Sequence, residues 1–164
     1  MKKKWSSILY TANNFSSCVD FLYGFMSRFE KGHTVNRTIT TPLIVNAAFA
    51  AELYLKAIIA FENNDDKNKH DLLDLFELLT IESQERIIKN SIEKKLIENS
   101  NDFIKLMQTN KNAFVEFRYV YEFKAGQHEK LANYVFLVDL GKVLYEYIQS
   151  IIPENRKFEY KDKI

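Results

Sequence analysis

The chain has 164 residues, 46% of them hydrophobic, and its 23 basic side chains nearly balance 22 acidic ones, leaving a formal net charge of +1. A chain of this size suits one domain that buries about two-thirds of its unfolded surface, and the near balance excludes a protein-wide field drawing it to nucleic acid or acidic membranes, so any such attraction must be local. A single cysteine excludes an internal disulfide framework, three dispersed histidines give no metal-ligand spacing, and four glycines with two prolines are too few to punctuate a strand-rich sandwich or barrel.

In chain order, Lys2, Lys3 and Lys4 are followed by no unbroken apolar run, so no export signal is expected and the Asn36-Arg37-Thr38 sequon reads as idle. Residues 6–31 space Leu9, Phe15, Val19, Leu22, Phe25 and Phe29 at helical intervals, and Gly32 supplies a stop. Thr40, Thr41 and Pro42 read as the opening of a second helix, with a hydroxyl cap and an early proline whose missing N–H costs nothing there. Over 47–61 that helix is apolar almost all round, the pattern of a central buried element. Its apolar stretch reads as too short and too punctuated for the roughly 20 residues of a membrane span.

A polar loop over 63–69 leads to a short helix over 70–79. The next helix places Ile81, Ile88, Ile92 and Leu96 on an apolar stripe opposite Glu85, Lys89, Glu93 and Lys94, as an outer, half-wet element would. Residues 102–123 read as one helix, broken near Gly126, and residues 128–152 as the last, with Leu137, Leu140, Leu144, Tyr147 and Ile151 together and Pro153 as the stop. The expected fold is all-α, an up-and-down bundle of five or six helices forming a single domain over 1–164.

Polar residues inside the apolar segments are the informative ones. Glu52 and Lys56 are four apart and share a helix face in the favourable acid-before-base order. Flanked by Ala48, Phe49, Ala51, Leu53, Leu55, Ile58 and Ile59, at least one of them is desolvated, and an unpaired buried charge costs several kcal/mol, about 3 to 5. Arg118, between Phe117 and Tyr119, and His70, at the mouth of a leucine-rich helix, are the compensating groups on offer. Glu52 is thus expected to accept from Arg118 or Lys56, with His70 nearby. The set reads either as a polar network fixing the bundle or as a ligand site, and Asp71 beside His70 reads as a helix-opening acid favoured by the dipole. Phe114, Phe117, Tyr119, Tyr121 and Phe123 crowd one stretch and fit core or dimer seam better than base stacking.

The runs Glu52-Leu53-Tyr54-Leu55-Lys56, Lys69-His70-Asp71-Leu72-Leu73-Asp74-Leu75 and Phe117-Arg118-Tyr119-Val120-Tyr121-Glu122, in this order, resemble the HEPN superfamily over about residues 40–150. The resemblance implies a helical bundle, homodimerisation, and roles in RNA or nucleotide transactions, many within toxin–antitoxin or phage-defence systems. It also implies possible pairing with an antitoxin or another protein encoded beside it, while the single cysteine and the lack of an export signal or membrane span fit a cytoplasmic setting, and the lack of metal-ligand spacing or a Gly-rich loop fits no cofactor.

Ribonucleases of the family use an Arg, four to six intervening residues and a His, without a metal. Here nine residues separate Arg118 from His128, so that motif is absent after Arg118. Arg28 and His33 match the spacing, but at the end of the first helix and at a frequency chance readily supplies. The leading expectation is an RNA- or nucleotide-binding domain lacking the standard ribonuclease motif, with Glu52, Lys56, His70, Arg118 and Tyr119 as the ligand-binding or polar-network residues. An active ribonuclease toxin and a non-enzymatic protein-interaction module are the alternatives.

Overall fold

The apolar run of 47–61 becomes the centre of a helical bundle. A computed structural model describes residues 4–28, 34–63, 69–119 and 132–156, and among these there is no strand. Its helices are α1 (Lys4–Met26), α2 (Thr34–Asn63), α3 (Leu72–Glu77), α4 (Ile81–Glu93), α5 (Ser100–Asn110), α6 (Ala113–Arg118) and α7 (Tyr134–Ile151), followed by a 3-10 turn at Glu154–Arg156.

Helix α2 packs against α1, α7, α6 and α3. It can do so because Ala47, Ala48, Ala50, Ala51, Ala57 and Ala60 are all buried, and their small side chains admit neighbours on several sides while Tyr54, Leu55, Ile58 and Ile59 fill the gaps. The segment Ile39–Glu62 does reach the length and hydropathy of a membrane span, contrary to the expectation from sequence, but 72% of its most apolar window is buried inside the bundle.

Pro42 does not open α2; it lies within it, since the helix begins at Thr34. The missing N–H deprives one upstream carbonyl of its donor, at a cost of about 3 kcal/mol. Burial of Leu43, Ile44, Ala47 and Ala48 immediately beyond the proline overrides that local preference.

The segment read as one helix over 102–123 is divided. Asn110 ends α5, and Lys111 and Asn112 form a turn before α6. Asn110 is fully buried. Its amide nitrogen donates to the Leu106 carbonyl at 2.8 Å. Its oxygen accepts from the Asn133 backbone N–H at 2.9 Å, which ties α5 to the start of α7. Asn133 in turn caps α7 by accepting from the Phe136 N–H.

The stripe of α4 also differs from expectation. Ser83, Ile87 and Ser91 face inward, whereas Ile81 is 75% exposed and Ile92 is also exposed. The reason is polar: Ser83 is drawn inward by partners on α2 and α7, and Thr80 caps the helix by accepting from the Ser83 N–H. Gly32, Gly126 and the expected start of the last helix lie outside the described residues.

Candidate functional site

Glu52 is fully buried on the face of α2 that meets the loop before α3. Its Oε1 accepts from Lys56 Nζ at 2.8 Å and lies 2.9 Å from His70 Nδ1. Its Oε2 is buried and has no hydrogen-bond partner among the described residues. The three side chains form a gradient of exposure, from 1% for Glu52 through 13% for Lys56 to 55% for His70. The carboxylate therefore anchors two nitrogen groups, a largely buried ammonium and an imidazole that reaches outward to solvent.

His70 is held there by its neighbours in sequence. Asp71 is the N-cap of α3 and accepts from the backbone N–H groups of Leu73 and Asp74, fixing the direction in which the chain enters the helix. The Leu72 N–H donates to the Lys111 carbonyl at 2.9 Å, which fastens this entry to the α5–α6 turn. Capping thus belongs to Asp71, and the His70 ring is left for Glu52. The contact is made by Nδ1, so Nε2 is the ring nitrogen that Glu52 does not engage.

Arg118 does not pair with Glu52. Its guanidinium lies 4.9 Å from the centroid of the Phe114 ring and 4.7 Å from that of Tyr119. Among the described residues no carboxylate pairs with it. Phe114 stacks on Phe49 of α2 at 4.5 Å and 15°, and Phe49 meets Phe15 of α1 edge-on at 4.6 Å. Arg118 is consequently mounted at the end of an aromatic ladder whose α2 member, Phe49, lies one turn before Glu52. Tyr119 is exposed beside it. Arg28 is exposed just beyond α1, and His33 and His128 lie outside the described residues.

A second polar assembly gave no signal in the sequence. Glu62, at the far end of α2, accepts from the Thr80 N–H at 3.2 Å through Oε2 and from the Ser83 hydroxyl through Oε1. Ser83 Oγ lies 2.6 Å from the Tyr147 hydroxyl of α7. Burial pushes the Tyr147 hydroxyl above its ordinary pKa, against the opposing effect of the Ser83 bond.

The described residues thus form an all-helical bundle in which a buried acid holds a lysine and a histidine, with an arginine mounted on aromatic rings that pack against the same helix. Residues 34–135 match the HEPN domain family, and the chain belongs to that family. The match begins at the first residue of α2 and ends just inside α7, somewhat N-terminal to the 40–150 span over which the sequence motifs suggested it. No curated protein and no solved structure gives a match.

Proposed function

We propose that this HEPN domain binds RNA or a nucleotide through its phosphate groups, at the face carrying Lys56, His70 and Arg118, without the spacing of the family's ribonuclease motif after Arg118. The observation that carries this reading is the arrangement around Glu52. A buried carboxylate that holds an ammonium and an imidazole on one oxygen, and leaves the other bare, is a poor structural device, because its desolvation is only half offset. As a device for fixing two cationic or hydrogen-bonding groups at the surface it is effective. Arg118 adds a planar donor fork suited to phosphate, and Tyr119 adds a ring on which a base can stack.

Calorimetric titration with a short single-stranded RNA and with a nucleoside triphosphate tests the proposal. Binding should be saturable and weaken with salt, and Lys56→Ala, His70→Ala and Arg118→Ala should each lower affinity about tenfold. A well-folded protein that takes up neither probe refutes it.

A second reading, an active ribonuclease toxin, is favoured by the His70 ring itself. An imidazole whose Nδ1 is held by a buried acid has the orientation of a general base at Nε2. Expression should then arrest growth, and His70→Ala or Arg118→Ala should relieve the arrest; harmless expression of the wild type excludes it. Homodimerisation, a neighbouring antitoxin and a cytoplasmic role in defence belong to the same proposal. An adjacent reading frame for a nucleotidyltransferase would support the toxin–antitoxin setting.

A further inference from the structure

Helix α1 has one face that the bundle leaves uncovered. Its inward side is taken by α2, and the whole helix precedes the 34–135 span that matches the family, so its outer face lies outside the shared domain. Phe21 stands in the middle of that face, 73% exposed. Its ring stacks on that of Phe25, one turn further on, with centroids 6.5 Å apart and planes at 17°. The other exposed large apolar side chains are spread over later parts of the chain, as is normal for a protein surface.

The charges beside Phe21 are placed symmetrically about Gly24. Asp20 lies four residues before it and Arg28 four residues after it, both exposed, and neither has an ion pair among the described residues. The helical path continues past α1, with the Ser27 N–H donating to the Tyr23 carbonyl at 3.0 Å. Asp20 and Arg28 are thus about 12 Å apart along the axis, too far to pair within one chain. Gly24 has no internal reason to be a glycine: a Cβ there would meet nothing within 4 Å, and glycine inside a helix is less favourable than alanine.

A second copy of the chain accounts for all of these features. Set antiparallel across a two-fold axis at Gly24, the helices bring Arg28 of each copy opposite Asp20 of the other, because the two residues are equidistant from the axis. A parallel pair would set like charge against like. The missing side chain at Gly24 lets the backbones approach, and the Phe21–Phe25 stacks of the two copies then pack side by side at the centre, where aromatic burial contributes most to an interface. A partner of one charge sign would satisfy one of the two residues and oppose the other.

We infer that the outer face of α1 is the surface by which two copies of this chain pair, antiparallel about Gly24, with Phe21 as the central contact and two reciprocal Asp20–Arg28 ion pairs. The inference gives the homodimer of the function proposed above its surface and rests on that dimer, but not on RNA or nucleotide binding.

Sedimentation equilibrium of the full chain tests it. Phe21→Ser should weaken self-association at least about tenfold, and Asp20→Arg or Arg28→Asp about tenfold each, by setting like charges opposite one another. The double change Asp20→Arg with Arg28→Asp should recover most of the lost affinity, which independent local effects would not do. Ile81→Ser, equally exposed but on α4, should leave association unchanged. The substituted positions are exposed, so the variants should fold, and a circular dichroism melt checks this. A monomeric wild type overturns both this inference and the proposed homodimer. A dimer that Phe21→Ser, Asp20→Arg and Arg28→Asp leave intact overturns the inference alone, and failure of the double change to restore affinity overturns the reciprocal pairing. A dimer that responds as expected but takes up neither RNA nor nucleotide refutes only the ligand proposed above.

Discussion

Two glutamates on one helix, ten residues apart, are used in opposite ways. Both oxygens of Glu62 are satisfied, and every donor comes from the start of α4, where the helix dipole also favours a negative charge. Through Ser83 that contact continues to Tyr147, so one carboxylate joins α2, α4 and α7. Glu52 is the more deeply buried of the two, yet both of its contacts fall on one oxygen, and the groups it holds are ionisable and lead outward through a partly buried lysine to an exposed histidine. The difference separates an acid that binds elements of the bundle to one another from an acid that displays side chains on its surface. Burial alone does not distinguish the roles; the destination of the donors does.

The largest loss of stability is expected at Glu62. Replacing it with Leu leaves Thr80 and Ser83 without their acceptor, and should cost about 3 kcal/mol, or roughly 6 to 12 °C in Tm for a domain of this size, by thermal or urea denaturation. A loss below about 1 kcal/mol would remove its structural role.

Next in size is Tyr54, the buried hydroxyl of the intervening segment, which donates to Asn13 Oδ1 at 3.0 Å. Burial pushes its pKa from 10.0 up to about 12. Folding therefore favours the protonated form: the stabilisation is fully present below the unfolded pKa near 10 and is lost as pH rises through 12. About 2 to 3 kcal/mol of stability should disappear across that window, and Tyr54→Phe should flatten the alkaline limb of a stability–pH curve.

Glu52 sharpens the contrast from the other side. The double change Glu52→Leu with Lys56→Met replaces the ion pair by apolar side chains and should alter stability by less than about 1 kcal/mol, or raise it. The same protein should lose phosphate-ligand binding, and a collapse in Tm would place Glu52 in the same category as Glu62. The smallest effect is expected at the end of α4, the helix that Glu62 holds. Lys95 has a φ of 59°, and the Leu96 N–H to Ser91 carbonyl bond marks a Schellman turn in which glycine is the usual residue. Lys95→Gly should raise stability by about 0.5 kcal/mol, measured by the urea midpoint.

What was legible in the sequence was mostly what periodicity and composition control. The central burial of α2, the stop at Pro153 and the stripe of Leu137, Leu140, Leu144 and Tyr147 on α7 followed from apolar spacing. The Glu52–Lys56 pair was legible because both partners lie on one helix, and His70 because it stands at the mouth of the next. Arg118 was misread because charge complementarity names no geometry; its route to the α2 face runs through the Phe49–Phe114 stack, a tertiary contact with no local signature. Pro42 was misplaced for the converse reason, since a local rule yielded to burial on its C-terminal side. Ser83 and Asn110 were invisible because short polar side chains acquire meaning only from partners distant in sequence, Tyr147 in one case and Asn133 in the other.

The six buried alanines of α2 have a consequence for how this protein can vary. In most cores the damaging change is truncation; along this helix it is growth, because a methyl group already occupies the space between close neighbours. A valine or leucine at Ala51 or Ala57 would act as a wedge, and the element forced aside would carry its wall of one face or the other with it. Mutational tolerance of α2 should therefore follow side-chain volume more than hydrophobicity, with serine and glycine accepted where larger apolar residues are not.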